Sequence, residues 1–141
     1  MNIKASALTA LRWVLVLPAA VVGMYLAKGF GQLCVSGALS FIDPVPDWAY
    51  QIGRAFASPF GFAWTGAIAA PTHNRRVGAV LAAGWSLFYL GFLLHAFQNP
   101  DHFEAPEGLG SWVFIICVTL ATLGGSAVAI LTVRKDQDVL T

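Results

Sequence analysis

The sequence predicts an all-α integral membrane protein, a four-helix transmembrane bundle of up-and-down topology with both termini cytoplasmic (N-in, C-in). Three observations carry that expectation. Residues 77–97 and 112–133 contain no Asp, Glu, Lys or Arg, and each stretch is long enough for a helix across the roughly 30 Å hydrocarbon core of a bilayer. The residues AVILMFWYC make up 57% of the chain and DEKR only 11%, where a soluble domain is about a quarter charged. The cations also fall in alternating blocks: Lys4, Arg12, Arg75, Arg76, Arg134 and Lys135 lie on one side of a four-span arrangement, with only Lys28 and Arg54 toward the other. Lys and Arg in short loops set membrane orientation.

The first span is expected over residues 11–33. Its flank, with Lys4 and Arg12 before an apolar run, also fits a secretory signal peptide. No small-x-small cleavage site follows the run before Lys28, so the segment is read as retained. The second span, residues 52–70, is interrupted by Arg54 and Pro59 and stopped by Pro71. A helix counted only from Pro59 to Ala70 would be about 18 Å long, too short to cross. It must therefore start near Ile52 and pass through Pro59 with a kink, which membrane helices tolerate where neighbours satisfy the freed carbonyl. Ahead of it, Asp43-Pro44 resembles a helix cap followed by Pro at the first helical position. A short interfacial helix through Trp48 and Tyr50 is expected there. The third and fourth spans are residues 77–97 and 112–133. Trp13, Trp48 and Trp112 fall at the expected interfaces, where an indole keeps its ring apolar and its N–H near water.

The whole of 1–141 is taken up by a single membrane domain, which leaves no room for a water-soluble catalytic domain. Formal net charge is +1 and the cations are dispersed, so nucleic acid is not an expected partner. The lipid bilayer is, together with a homo-oligomer or a larger membrane complex. Short loops and the lack of a eukaryotic targeting signal point to the inner membrane of a bacterium.

Small residues recur every fourth position in two spans: Ala19, Gly23, Ala27 and Gly31 in the first, Cys117, Ala121, Gly125 and Ala129 in the fourth. Such stripes let helix backbones approach closely in lipid, where no hydrophobic effect drives helices together. They are read as helix-packing seams, facing either another helix of the bundle or another subunit. Lys28 and Arg54 are the only cations in the spans toward the outer side. Near helix ends, long cationic side chains snorkel to the headgroup layer, here with pairing to Asp43 or Asp47; the alternative is an anion or lipid-headgroup site made by the two together.

His95 shares a helical face with Gly91, Phe88 and Gly84 and is expected to point into a packed seam. With His102, Asp101 and Glu104 close by, a divalent metal such as zinc is the competing reading, although the spacing matches no established metal motif. His73 belongs to the inward turn Pro71-Thr72-His73-Asn74. It lies on the opposite side of the membrane from His95, so the two cannot ligate one haem, and no cofactor is expected. No span holds Asp or Glu in its interior, which disfavours a proton-driven exporter. The leading functional expectation is a non-catalytic structural or accessory protein acting through helix–helix association. The alternatives are a small oligomeric transporter or channel around Lys28, Arg54, Thr119, Thr122 and Ser126, and a metal-dependent membrane enzyme using His95 and His102.

Overall fold

The computed structural model describes residues 3–98 and 110–133, with side chains from residue 7 onward. It is all-helical: α1 Ile3–Ala38, α2 Asp47–Ala69, α3 Asn74–Gln98 and α4 Ser111–Thr132. Helices α1, α3 and α4 are long and apolar enough to cross a membrane.

Helix α1 has 36 residues and at 1.5 Å per residue is about 54 Å long, well beyond the 11–33 segment at both ends. Nothing in the sequence stops it earlier, since Pro18 only removes one backbone donor and lies exposed. It ends in a turn closed by Leu39 N–H to Val35 O and Ile42 N–H to Leu39 O, both 2.9 Å.

Helix α2 begins at Asp47, not beside Asp43. Pro46 is the N-cap residue, in an extended conformation and with no side-chain cap. The reason is steric: a proline disfavours helical geometry in the residue before it, so Val45 cannot continue a helix started at Pro44. Trp48 and Tyr50 thus belong to the first turns of α2 itself, and no separate interfacial helix precedes it. The Asp47 carboxylate in the first turn favours the start electrostatically. The helix runs through a fully buried Pro59. It stops at Ala70, held extended by the following Pro71, with the Ala70 N–H shared between Gly66 O and Ala67 O at 3.2 Å.

The turn into α3 places His73 at φ 55°, a left-handed conformation in which histidine is several-fold commoner than most residues. Its carbonyl accepts from Val77 N–H at 3.0 Å, opening α3.

Helix α2 is the hub of the bundle. It packs on α1, α3 and α4, and α3 also touches α4. Its buried residues are nearly all small: Ala49, Ala57, Ser58, Gly61, Ala63, Gly66 and Ala67, with Pro59. Burial by its neighbours is why the helix carrying Gln51, Arg54, Ser58 and Thr65 needs no uniformly apolar exterior. The pairing is antiparallel from helix to helix. Gly23 meets Gly61 and Thr65, while Gly31 meets Ala57 and Gly53. Phe62 contacts Trp85 with ring centroids 5.3 Å apart, and Phe97 contacts Trp112 at 5.6 Å. A core of Ala63, Ala82 and Ala129, ringed by Phe60, Leu81 and Ile130, joins α2, α3 and α4. Alanines at the centre bring the helix axes close and make backbone-to-backbone van der Waals contact the main cohesive term.

Candidate functional site

A stripe on α2 answers the one on α1. Gly53, Ala57, Gly61 and Thr65 recur every fourth residue, and they lie against Gly23, Ala27 and Gly31. A Cβ on Gly23 would stand 2.8 Å from the Gly61 carbonyl oxygen, and one on Gly31 would stand 2.8 Å from the Ala57 Cβ. Ala19 is half-buried beside this seam. On α4, Gly125 packs against the Phe56 carbonyl and Pro59, and Ala129 is wholly buried, whereas Cys117 and Ala121 are half-buried. The covered stripe of α4 is Thr122, Gly125, Ser126 and Ala129.

Next to the glycine seam, α1 presents a second, polar stripe: Lys28, Gln32 and Ser36, again four residues apart. It meets the polar side of α2. Ser36 Oγ and Tyr50 OH are 3.1 Å apart. Gln32, with its amide oxygen turned toward α2, accepts from Arg54 Nε at 2.7 Å and from Arg54 Nη2. One edge of the guanidinium is thereby held, and its outer N–H groups remain to point elsewhere.

They border a cavity of about 260 Å³ to which all four helices contribute. Lys28 comes from α1; Gln51, Arg54, Ala55 and Ser58 from one face of α2; Trp85 and Tyr89 from α3; Thr122 from α4. Helix rise sets their common level: Lys28 is about 15 Å from the end of α1 at Ala38, Tyr89 about 14 Å from the end of α3 and Thr122 about 16 Å from the start of α4. Ten residues of α1 follow Lys28 before the helix ends at Ala38. Asp43 and Asp47 are exposed and do not line the cavity.

The hydroxyls are oriented by the helices that carry them. Ser58 Oγ donates to Arg54 O at 2.7 Å. Thr119 Oγ1 donates to Ile115 O at 2.7 Å and lies 3.3 Å from Tyr89 OH. Since the Thr119 proton is already committed, the Tyr89 hydroxyl is the donor of that pair and turns its oxygen lone pairs outward. One turn beyond Thr122, Ser126 Oγ is buried without a hydrogen-bond partner among the described residues. The lining set contains two cations and no carboxylate, imidazole or thiol. What it offers a guest is positive charge, an amide and hydroxyls beside the apolar walls of Ala55 and Trp85, in a cleft that is open on one side.

His95 is elsewhere. The face it shares with Gly84, Phe88 and Gly91 is not a packed seam: His95 is exposed, Phe88 is 71% exposed, and nothing lies within 4 Å of where a Cβ would sit on Gly84 or Gly91. The side of α3 that packs is that of Gly78 and Ala82. A glycine pair alone does not reveal whether a helix or lipid covers it. His102, Asp101 and Glu104 fall outside the described residues. Among the described residues no three His, Cys, Asp or Glu side chains gather in a metal-holding group.

Gln51, Ser58, Trp85 and Tyr89 are site residues that sequence reasoning missed. A signal for part of the set was present in the spacing of Gln51, Arg54 and Ser58, which share one face of a helix. Comparison of the chain with known protein families, characterised proteins and solved structures finds no match.

Proposed function

We propose that this chain is a multi-pass integral membrane protein whose working part is the polar cavity, and that it binds a small polar molecule or headgroup there without transforming it. All four helices cross the bilayer, α2 shielded by the other three, and both termini face the cytoplasm at the inner membrane of a bacterium. The observation that carries this reading is the convergence of Lys28 and Arg54 on one cavity that no carboxylate lines. Charges carried within the helices of a membrane bundle are rare and by default functional candidates. A concave site with a few convergent polar groups is the usual form of a small-molecule site, and at about 260 Å³ this one is just below the common range of about 300–1,000 Å³. The glycine stripe of α1 is covered by α2 of the same chain, so the reading rests on the cavity and not on a free association seam.

The test is occlusion without change of charge. Ala55 lines the cavity, and Ala55→Phe fills it. Native mass spectrometry of the parent released from native membrane nanodiscs should show a retained small molecule or lipid that Ala55→Phe loses. Leu120→Phe, at a position 65% exposed and outside the cavity lining, should retain it. Equal adduct patterns in all three proteins would remove the binding reading.

A further inference from the structure

We infer that the guest of this cavity is a lipid-borne phosphate, its head between Lys28 and Arg54 and its acyl chain along an apolar groove of α2 and α3. The inference rests on the binding reading above and names the ligand's chemistry. Two observations meet in it. The first is charge: two cations face a cavity without a lining carboxylate, and an oxyanion supplies the missing countercharge. Arg54 suits the task, because Gln32 holds its Nε edge while a planar guanidinium still presents donors that match the spacing of phosphate oxygens. Lys28 adds a point charge, and the Gln51 amide and Thr122 hydroxyl add donors within the same lining.

The second observation is the groove. A cleft of about 440 Å³ lies between α2 and α3, lined by Phe62, Val80, Leu81, Gly84, Trp85 and Phe88. Trp85 belongs to both linings, so the polar cavity and the apolar groove are neighbours sharing one indole wall. The groove leads away from the cavity in the right direction for a lipid tail. Tyr89 in the polar cavity is about 14 Å from the C-terminal end of α3, whereas Val80 is about 27 Å from it. A free anion would need the first feature only. An amphiphile with an anionic phosphate head and a hydrocarbon chain uses both.

Gly84 makes the two parts separable. Its Cβ position meets nothing within 4 Å and the residue is exposed, so Gly84→Leu fills the groove without disturbing a helix contact and leaves Lys28 and Arg54 in place. The experiment is native mass spectrometry of purified protein from nanodiscs of equal parts phosphatidylglycerol and phosphatidylcholine. A parallel thermal-shift series in neutral detergent uses inorganic phosphate alone. The parent should retain net-anionic phosphatidylglycerol over zwitterionic phosphatidylcholine, which bears the same phosphate beside a cation, by about tenfold, a difference of about 1.4 kcal/mol. Lys28→Gln and Arg54→Gln should each bring the ratio toward unity, and Gly84→Leu should abolish lipid retention. Inorganic phosphate should give no shift at millimolar concentration. A phosphate shift as large as that of the lipid, with Gly84→Leu silent, would overturn the lipid assignment in favour of a free anion. A bound molecule that Ala55→Phe expels but Lys28→Gln and Arg54→Gln do not affect would overturn the phosphate chemistry while leaving the binding reading intact. Loss of nothing in any variant would defeat both.

Discussion

Gly23 and Gly61 stand face to face with no room for a side chain on either: a Cβ on Gly23 would lie 2.8 Å from the Gly61 carbonyl oxygen, and one on Gly61 would meet both the Gly23 carbonyl and the Ala27 Cβ. Backbone is the obstacle in both directions, so no rotamer change relieves it. Among the described residues α1 packs its backbone against α2, and this crossing fixes their separation. The position of Lys28 relative to Arg54 depends on it.

Gly61→Ala should therefore push α1 off α2 and destabilise the protein by about 1–3 kcal/mol, the usual range for overpacking. Gly29→Ala is the control, because nothing lies within 4 Å of its Cβ position. There the lower backbone entropy of alanine in a helix should be neutral or stabilising by about 0.5–1 kcal/mol. Thermal unfolding monitored by size-exclusion retention distinguishes them. Equal midpoints for the two variants would mean that the crossing is looser than described.

The buried Ser126 hydroxyl, unpartnered among the described residues, makes a prediction of opposite sign. A buried polar group without a hydrogen bond costs about 1–3 kcal/mol, and Ser126→Ala removes it at little loss of volume. The variant should be more stable than the parent by about 1 kcal/mol. A loss of stability of that size would show that Ser126 has a partner, such as an ordered water.

Much of the helix layout was legible from charge and proline. Uncharged stretches mark α3 and α4 directly, and the insufficient length after Pro59 forces α2 to run through that residue. The ends were harder to read. Residues 34–38 carry no charge and no proline, so nothing in the sequence marks a stop for α1 at residue 33, and Asp43 resembles a cap until the effect of Pro46 on Val45 is weighed. At the site, Lys28 and Arg54 stand out as rare charges in apolar surroundings. Their convergence does not, because it depends on the register of α1 against α2 and on the true length of α1. Tyr89 and Trp85 join them only through the packing of α3, about which an aromatic-rich sequence is silent. The Gly84, Phe88, Gly91, His95 face misled because small residues mark close contacts and lipid-exposed faces alike.

Membrane orientation has its own test. If the distribution of Lys and Arg sets the topology, reporter fusions after Arg76 and after Thr141 should behave as cytoplasmic and a fusion after Glu104 as external. An external reporter after Thr141 would contradict a four-span arrangement.

The central claim, that Lys28 and Arg54 share one cavity, is tested most directly by a charge-reversal cycle. Stability would be measured in neutral detergent for the parent, Lys28→Glu, Arg54→Glu and the double variant. Two like charges in one cavity repel, and each single reversal replaces that repulsion with attraction, while the double variant restores like charges of the other sign. The account predicts that the double variant is less stable than the sum of the single effects by about 0.5–3 kcal/mol, the range for residues that interact. Additivity within about 0.5 kcal/mol, as for sites that do not touch, would place the two cations in separate environments and contradict it.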